Sequence, residues 1–246
     1  MSYRQQFSKL DDAQAYDERE YGAGSYGQLL WQIEQAQLAQ IFDTFRRTHA
    51  KVDVLDFAAG SGRILSFVER LSDSAVGIEI SEQMAERARQ RVERAPMLCR
   101  DITVPGAEIE GTYDIITAFR FILNAEPALR RSAMLALRQR LRDRSSLIIF
   151  NNHGNMWSHK AILYPVHAAR HGRGPRTSGN LLSHRQVTRL AESVGLRVER
   201  PYGCGVIGAR LARAVPEERL LRWETTLAAS PFSRIAVNQM YVARLA

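Results

Sequence analysis

Three acidic residues stand where apolar runs end: Asp56, Glu79 and Asp101. Between the first two lies the small-residue stretch Ala58-Ala59-Gly60-Ser61-Gly62. Glycine lets a backbone turn sharply and approach a ligand closely, because no Cβ intrudes. A helix starting after such a turn presents free N–H groups to whatever sits there. Glu79, 23 positions after Asp56, is placed to accept two hydrogen bonds from a ribose diol. Asp101 could accept from the exocyclic amine of adenine. Turn, Glu79 and Asp101 together point to one adenosine-containing ligand.

Two ligand classes compete for that turn. A dinucleotide site reads G-x-G-x-x-G, and its third glycine packs helix on strand. Here the run is Gly60-Ser61-Gly62-Arg63-Ile64-Leu65, without the third glycine. Asp56, just before the turn, would repel a pyrophosphate and could receive a cationic group or orient the turn. An NAD-dependent oxidoreductase therefore stands as an alternative reading only.

The elements that position these residues alternate in type. Val52 to Phe57 reads as a buried strand, followed by a helix from about Ser61 with Ile64, Leu65, Val68 and Leu71 on one stripe. Ala75 to Ile80 is a second strand, and Ser81 caps the next helix. Met97 to Arg100, Tyr113 to Phe119 and Ser146 to Asn151 are strands three to five, with a helix opening at Pro127. Ser183-His184-Arg185-Gln186 is a capping-box pattern. A sixth strand starts at Leu196, a helix covers Pro216 to Leu227, and Ile235 to Leu245 closes the sheet. Such alternation implies right-handed βαβ units, an α/β fold and a mostly parallel sheet with helices on both faces.

The stretch Val54-Leu55-Asp56-Phe57-Ala58-Ala59-Gly60-Ser61-Gly62 resembles the first motif of class I S-adenosylmethionine-dependent methyltransferases, whose usual form is D-x-G-x-G-x-G. Glu79, Asp101 and the Tyr113-to-Phe119 strand match the next three motifs in order. The one departure is Ala58 at the first glycine position. The resemblance covers residues 50–151 well and the rest by topology, and the tail from about Ser183 to Ala246 resembles the ends of stand-alone bacterial small-molecule methyltransferases. It implies a Rossmann-like fold with a seven-stranded sheet and S-adenosyl-L-methionine as cofactor. It further implies that Phe57, Ala58 and Gly60 lie under the methionine part, that Ala59 and Gly62 also bind the cofactor, and that Glu79 holds the ribose hydroxyls. Ile80 and Met84 would flank the adenine, Asp101 and Ile102 would read its amine, and Phe119 would sit by the sulfonium.

The acceptor side is read from what lies beyond these motifs. His153 follows strand five and is the first candidate general base, since imidazole titrates near neutrality. Arg120 and Asn124, after strand four, could orient an acceptor, and Asn151 ends strand five. Tyr21 and Tyr26 flank a flexible Gly-Ala-Gly segment that suits a lid over the substrate. Residues 1–50 read as an N-terminal helical lid segment, 51–151 as the cofactor half, 152–182 as an insertion over the acceptor site, and 183–246 as the end of one domain. His167 and His171 have i,i+4 spacing, but no carboxylate lies near enough in sequence to complete a metal site.

Composition narrows the partners. The 246 residues carry 34 Lys and Arg against 26 Asp and Glu, a formal charge of +8. The arginines are scattered at helical spacing, as on solvated helix faces. The place after strand four holds Ala118-Phe119-Arg120-Phe121, without the N/D-P-P-Y/F element of base amino-methylation. Neither Cys99 nor Cys204 stands where a pyrimidine-carbon nucleophile is needed. Two cysteines build no disulfide framework. No run approaches the ~18 apolar residues of a membrane span, and Met1 to Gln6 lacks the apolar core of a signal peptide. The expectation is a cytoplasmic enzyme acting on a small polar acceptor at a sugar or natural-product hydroxyl, with a homodimer open. An amine acceptor and an RNA acceptor are the other methyl-transfer alternatives.

Overall fold

The computed structural model describes residues 22, 24–104, 106–107, 109–161, 181–212 and 214–246. Their centre is a seven-stranded sheet of order β3-β2-β1-β4-β5-β7-β6. The strands are β1 (Asp53–Phe57), β2 (Ser74–Glu79), β3 (Met97–Cys99), β4 (Ile115–Ala118), β5 (Leu147–Asn152), β6 (Leu196–Cys204) and β7 (Asn238–Leu245). The first five pair in parallel. Strand β7 inserts antiparallel between β5 and β6. Strand order reverses between β1 and β4, the place where open α/β sheets bind ligands.

Each strand of the centre is apolar on both sides because helices cover both faces. Val54, Leu55, Ile115, Ile116, Ile148 and Ile149 are all fully buried. On one face, α4 (Pro127–Arg138) and α5 (His184–Glu192) supply Met134, Leu137, Val187 and Ala191 to a core with Leu55, Ile116 and Phe150. On the other, α1 (Tyr26–Arg46), α2 (Arg63–Val68) and α3 (Glu82–Arg91) bring Phe42, Leu65 and Ala88 against Val54 and Ile149. A smaller cluster joins Leu29, Leu30 and Ile33 of α1 to Cys204 and to Leu220 of α7 (Glu217–Ala228). The short α6 (Ala209–Ala212) precedes α7. No helix among the described residues is long and apolar enough to cross a membrane.

The caps read from sequence are present. Ser25 Oγ accepts from Gln28 N at 3.1 Å, Ser81 Oγ from Met84 N at 3.4 Å, and Ser183 with Gln186 closes a full capping box. Three expectations shift. The helix after the turn starts at Arg63, not Ser61, because Gly62 is its N-cap in the left-handed region at φ 78°. Strand β4 is shorter than residues 113–119. Residues 231–235 form a 3-10 helix, so β7 begins at Asn238 rather than Ile235.

Candidate functional site

Strand β1 delivers Asp56, one per cent exposed, to the edge of the turn. Its register partner on β4 is Thr117. That alignment lets Thr117 Oγ1 donate to Asp56 Oδ1 at 2.6 Å. The other carboxylate oxygen, Oδ2, is buried without a hydrogen bond. Burial pushes the carboxyl up to about 7, against the Thr117 bond and the positive charge of Arg63. A group that titrates at neutrality therefore lies directly beneath the turn.

The turn is built from left-handed residues. Ala58 stands at φ 54°, Gly60 at 56° and Gly62 at 78°. Ala58 occupies a conformation that glycine adopts without strain, which is the reason a glycine suits that position. Around Gly60 no atom lies within 4 Å of where a Cβ would stand, so the backbone there faces open space. Gly62 is the opposite case: a Cβ would come within 2.9 Å of Ala88 Cβ on α3. Gly62→Ala is expected to cost about 1–3 kcal/mol, from overpacking plus the positive φ. Urea unfolding checks it, and an unchanged midpoint would contradict the close helix approach.

Strand β2 delivers Glu79, six per cent exposed. Its carboxylate gathers the surrounding backbone: Gly60 N donates to Oε2 at 2.9 Å, and Ile80 N and Ser81 N donate to Oε1 at 2.8 and 2.9 Å. Three of the roughly four acceptor positions of a carboxylate are thus used by the protein. Burial raises the Glu79 carboxyl, and these three backbone N–H groups oppose the shift. Glu79 links the β1 turn to the start of α3, a role beyond ligand contact.

A cleft opens beside these residues, lined by Phe57, Ala58, Glu79, Ile80 and Asp101 among the expected ones. Asp101 Oδ1 accepts from Thr103 N at 3.0 Å, which fixes the bend after β3. Ile78, Arg100, Thr103, Phe121 and Leu129 complete the wall, and none of them was expected from sequence. Phe121 meets Phe57 edge to face at 5.0 Å. Phe119, which the resemblance implied beside the sulfonium, does not line this cleft. Arg120 adopts φ 57°, which turns the chain so that Phe121, not Phe119, faces the cleft. Phe119 is buried in the core cluster on the other face of the sheet.

Other expected cofactor residues are packed within the protein. Ala59 and Met84 are buried, and Ala59 N donates to Ile78 O at 2.9 Å. Ile102 is packed in the core. None of these three lines the cleft, nor do Gly60 and Gly62. Of the residues expected around the ribose and adenine, Glu79, Ile80 and Asp101 share one cleft, and Met84 and Ile102 do not line it.

The acceptor-side residues come together differently from expectation. Asn151 is one per cent exposed. Its Oδ1 accepts from Arg120 N at 2.6 Å, and its Nδ2 donates to Asn238 Oδ1 at 3.2 Å. Asn124 Nδ2 donates to Arg120 O at 2.7 Å. Both asparagines therefore clamp the left-handed Arg120 backbone. Asn238 Nδ2 in turn donates to Glu34 Oε1 at 2.7 Å, which ties α1 to the ends of β5 and β7. Glu34 and Asn238 were missed because a lone acid on an amphipathic helix carries no local signal of its distant partners.

Tyr26, expected in a lid over substrate, is a docking residue. Its hydroxyl donates to Glu224 Oε1 at 2.6 Å and accepts from Gly208 N at 3.0 Å. Glu224, fully buried, also accepts from Gly205 N, Val206 N and Ile207 N. Tyr21, His167 and His171 lie outside the described residues. Among the described residues no group of three metal-ligating side chains occurs.

His153 follows β5 and is half-buried as a residue, yet its Nδ1 is enclosed and makes no hydrogen bond. Burial first, and then the charges of Arg120 and Lys160, hold its imidazole well below the usual histidine range. The neutral form of the ring is thereby favoured.

Residues 54–144 match the family model described as a methyltransferase domain. Among solved structures, the chain is similar to magnesium protoporphyrin IX methyltransferase of Synechocystis PCC 6803 with bound SAH. Identity there is 13%, TM-score 0.63, covering 99% of this chain and 97% of that one. It is similar to the mitomycin 7-O-methyltransferase MmcR at 16% identity and TM-score 0.64, covering 100% of this chain and 61% of that one. It is also similar to the plantazolicin methyltransferase BpumL in complex with SAH, at 15% identity and TM-score 0.61, covering 100% and 95%. No match is found among curated proteins.

Proposed function

We propose that this chain, a class I methyltransferase by its fold and by the domain matched over residues 54–144, uses S-adenosyl-L-methionine to methylate a small molecule, at a hydroxyl oxygen. The observation that carries this is the cleft at the strand-order reversal, with Glu79 and Asp101 on its wall beside the open backbone at Gly60. Two of the similar structures contain SAH, and the similar enzymes are named for magnesium protoporphyrin IX, mitomycin and plantazolicin. Those names support a small-molecule acceptor.

The residues present fit such a cofactor. Phe57 and Phe121 offer apolar surface, Glu79 a partly committed acceptor for ribose hydroxyls, and Asp101 an acceptor for the adenine amine. Gly60 leaves the space that a side chain would fill. When bound there, S-adenosyl-L-methionine supplies a methyl group on a sulfonium, an activated donor that leaves as the neutral thioether S-adenosyl-L-homocysteine. The chain's own work is to hold and orient the acceptor, which can account for much of the rate. His153 takes the proton of the acceptor hydroxyl as the oxygen–methyl bond forms. It lies past the end of β5, two strands from β1, or ~10 Å across the sheet edge at the usual strand spacing.

Isothermal titration with S-adenosyl-L-homocysteine tests the cofactor. Saturable heat with one site is expected, and neither heat nor a thermal shift would overturn the reading. NADH fluorescence on the same sample is expected to show no binding, and a bound signal would favour the oxidoreductase alternative. For His153→Ala, loss of the base is expected to slow methyl transfer about a hundredfold. Affinity for S-adenosyl-L-homocysteine should be retained. An unchanged turnover would place the base elsewhere.

A further inference from the structure

Glu34 lies on α1, three per cent exposed, and does not line the cofactor cleft. A carboxylate buried in this way needs donors. Two asparagine amides from the sheet supply them. Asn238 Nδ2, at the start of β7, donates to Glu34 Oε1 at 2.7 Å, and Asn151 Nδ2, near the end of β5, reaches the same oxygen at 3.4 Å. A carboxylate accepts, so both amides turn their N–H groups toward it. That choice fixes the other end of each amide. Asn238 Oδ1 is left to accept from Asn151 Nδ2 at 3.2 Å, and Asn151 Oδ1 to accept from Arg120 N at 2.6 Å. The opposite orientation of the Asn151 amide would set N–H against N–H at Arg120. Hydrogen bonds thus run in one sense from the turn after β4, through two buried asparagines, to α1.

The far end of this chain of bonds is a backbone conformation that a residue with a Cβ adopts at a cost. Arg120 stands at φ 57°. Such a conformation persists where its surroundings over-determine it. Here Asn151 takes the N–H of Arg120, and Asn124 Nδ2 donates to its carbonyl at 2.7 Å. The next residue, Phe121, stands in the cleft wall and meets Phe57 edge to face, with centroids 5.0 Å apart. We propose that Glu34 is a positioning residue for the cofactor cleft: through Asn151 it holds the left-handed Arg120 turn that sets Phe121 against Phe57. This rests on the methyl-transfer reading of that cleft. Without the Glu34 acceptor the Asn151 amide is free to turn over, Arg120 relaxes towards ordinary backbone, and Phe121 leaves the wall. The cofactor then loses part of the apolar surface it packs against. Cofactor affinity is thereby set in part from α1, a helix outside the cleft.

The test measures the affinity of the full chain for S-adenosyl-L-homocysteine by isothermal titration, with urea unfolding to establish that each variant is folded. Glu34→Leu keeps the bulk and removes the acceptor. It is expected to weaken binding about tenfold, the size of one lost hydrogen bond. Glu34→Gln both donates and accepts, so it no longer dictates the sense of the Asn151 amide. It is expected to weaken binding about threefold, and it takes the place of Glu34→Leu if that variant does not fold. A general loosening of the protein would act whether or not Phe121 is present, so the deciding comparison is made on Phe121→Ala. On that background the Glu34 substitution is expected to change affinity less than about twofold, because the route to the cofactor is already gone. Wild-type affinity in the folded Glu34 variant overturns the proposal, as does an effect of equal size with and without Phe121. If the unsubstituted chain does not bind S-adenosyl-L-homocysteine, the methyl-transfer reading and the proposal fall together. Binding that the Glu34 substitution leaves unaltered overturns only the positioning role.

Discussion

Glu79→Ala is expected to lower both the stability of the protein and its affinity for S-adenosyl-L-homocysteine. The carboxylate accepts from Gly60 N, Ile80 N and Ser81 N, all within 2.9 Å, at a residue six per cent exposed. Alanine leaves three donors in a place with little water. An unsatisfied buried donor costs about 1–3 kcal/mol, so a stability loss of roughly 3 kcal/mol or more follows. Affinity should fall about tenfold to a hundredfold, because the ribose loses its acceptor and the Gly60 turn loses its tether. Glu79→Gln keeps one acceptor oxygen but points an amide N–H at a backbone donor, so it should fall between wild type and alanine. Urea unfolding and calorimetry on the three proteins give both quantities. Wild-type affinity in a folded Glu79→Ala protein would show that the adenosine lies elsewhere.

Asp56 makes stability depend on pH in an unusual direction. Its carboxyl is pushed up by burial to about 7, so the folded protein holds a proton that the unfolded chain gives up near 4. Where the native state binds more protons, stability falls as pH rises. The stabilisation is present in full below the unfolded value, declines through the interval between the two, and is gone above about 7. Between pH 5 and pH 8 the Asp56 contribution should drop by about 2.5 kcal/mol, integrating the shift at about 1.4 kcal/mol per unit. Asp56→Asn is close to isosteric, can still accept from Thr117 Oγ1, and cannot titrate. Urea unfolding of wild type and variant at both pH values isolates the contribution from every other titrating group. An equal pH dependence in the two proteins would mean that Asp56 ionises normally.

Many elements were legible because their signals are local. Ser25, Ser81 and Ser183 each stand one residue ahead of a helix and accept the N–H that a cap must satisfy. The apolar runs at Val54-Leu55, Ile115-Ile116 and Leu147 to Phe150 are strands because helices bury both their faces. The region matched by the methyltransferase family model, 54–144, holds the turn, Glu79 and Asp101. The errors cluster where a residue's role depends on partners far along the chain. Phe119 is the aromatic that the resemblance puts by the sulfonium, and nothing in the sequence marks the left-handed arginine that follows it. Asn151 looked like a ligand residue at a strand end, but its amide is spent on Arg120 and Asn238, the latter 87 positions away. Tyr26 looked like part of a lid, but Glu224, 198 positions away, takes its hydroxyl.

The sequence by itself determined the order of strands and helices, the turn with Asp56 before it, and the acids at the ends of the next two strands. Those features depend on spacing along a few residues, and local propensity and burial periodicity act at that range. Only the tertiary structure decided which of the neighbouring side chains reach the cleft. It showed that Glu79 binds the backbone of its own site. It also set Arg120 in the left-handed region, clamped by Asn151 and Asn124. Those outcomes depend on register across the sheet and on hydrogen bonds between distant segments, and neither is set until the chain has packed.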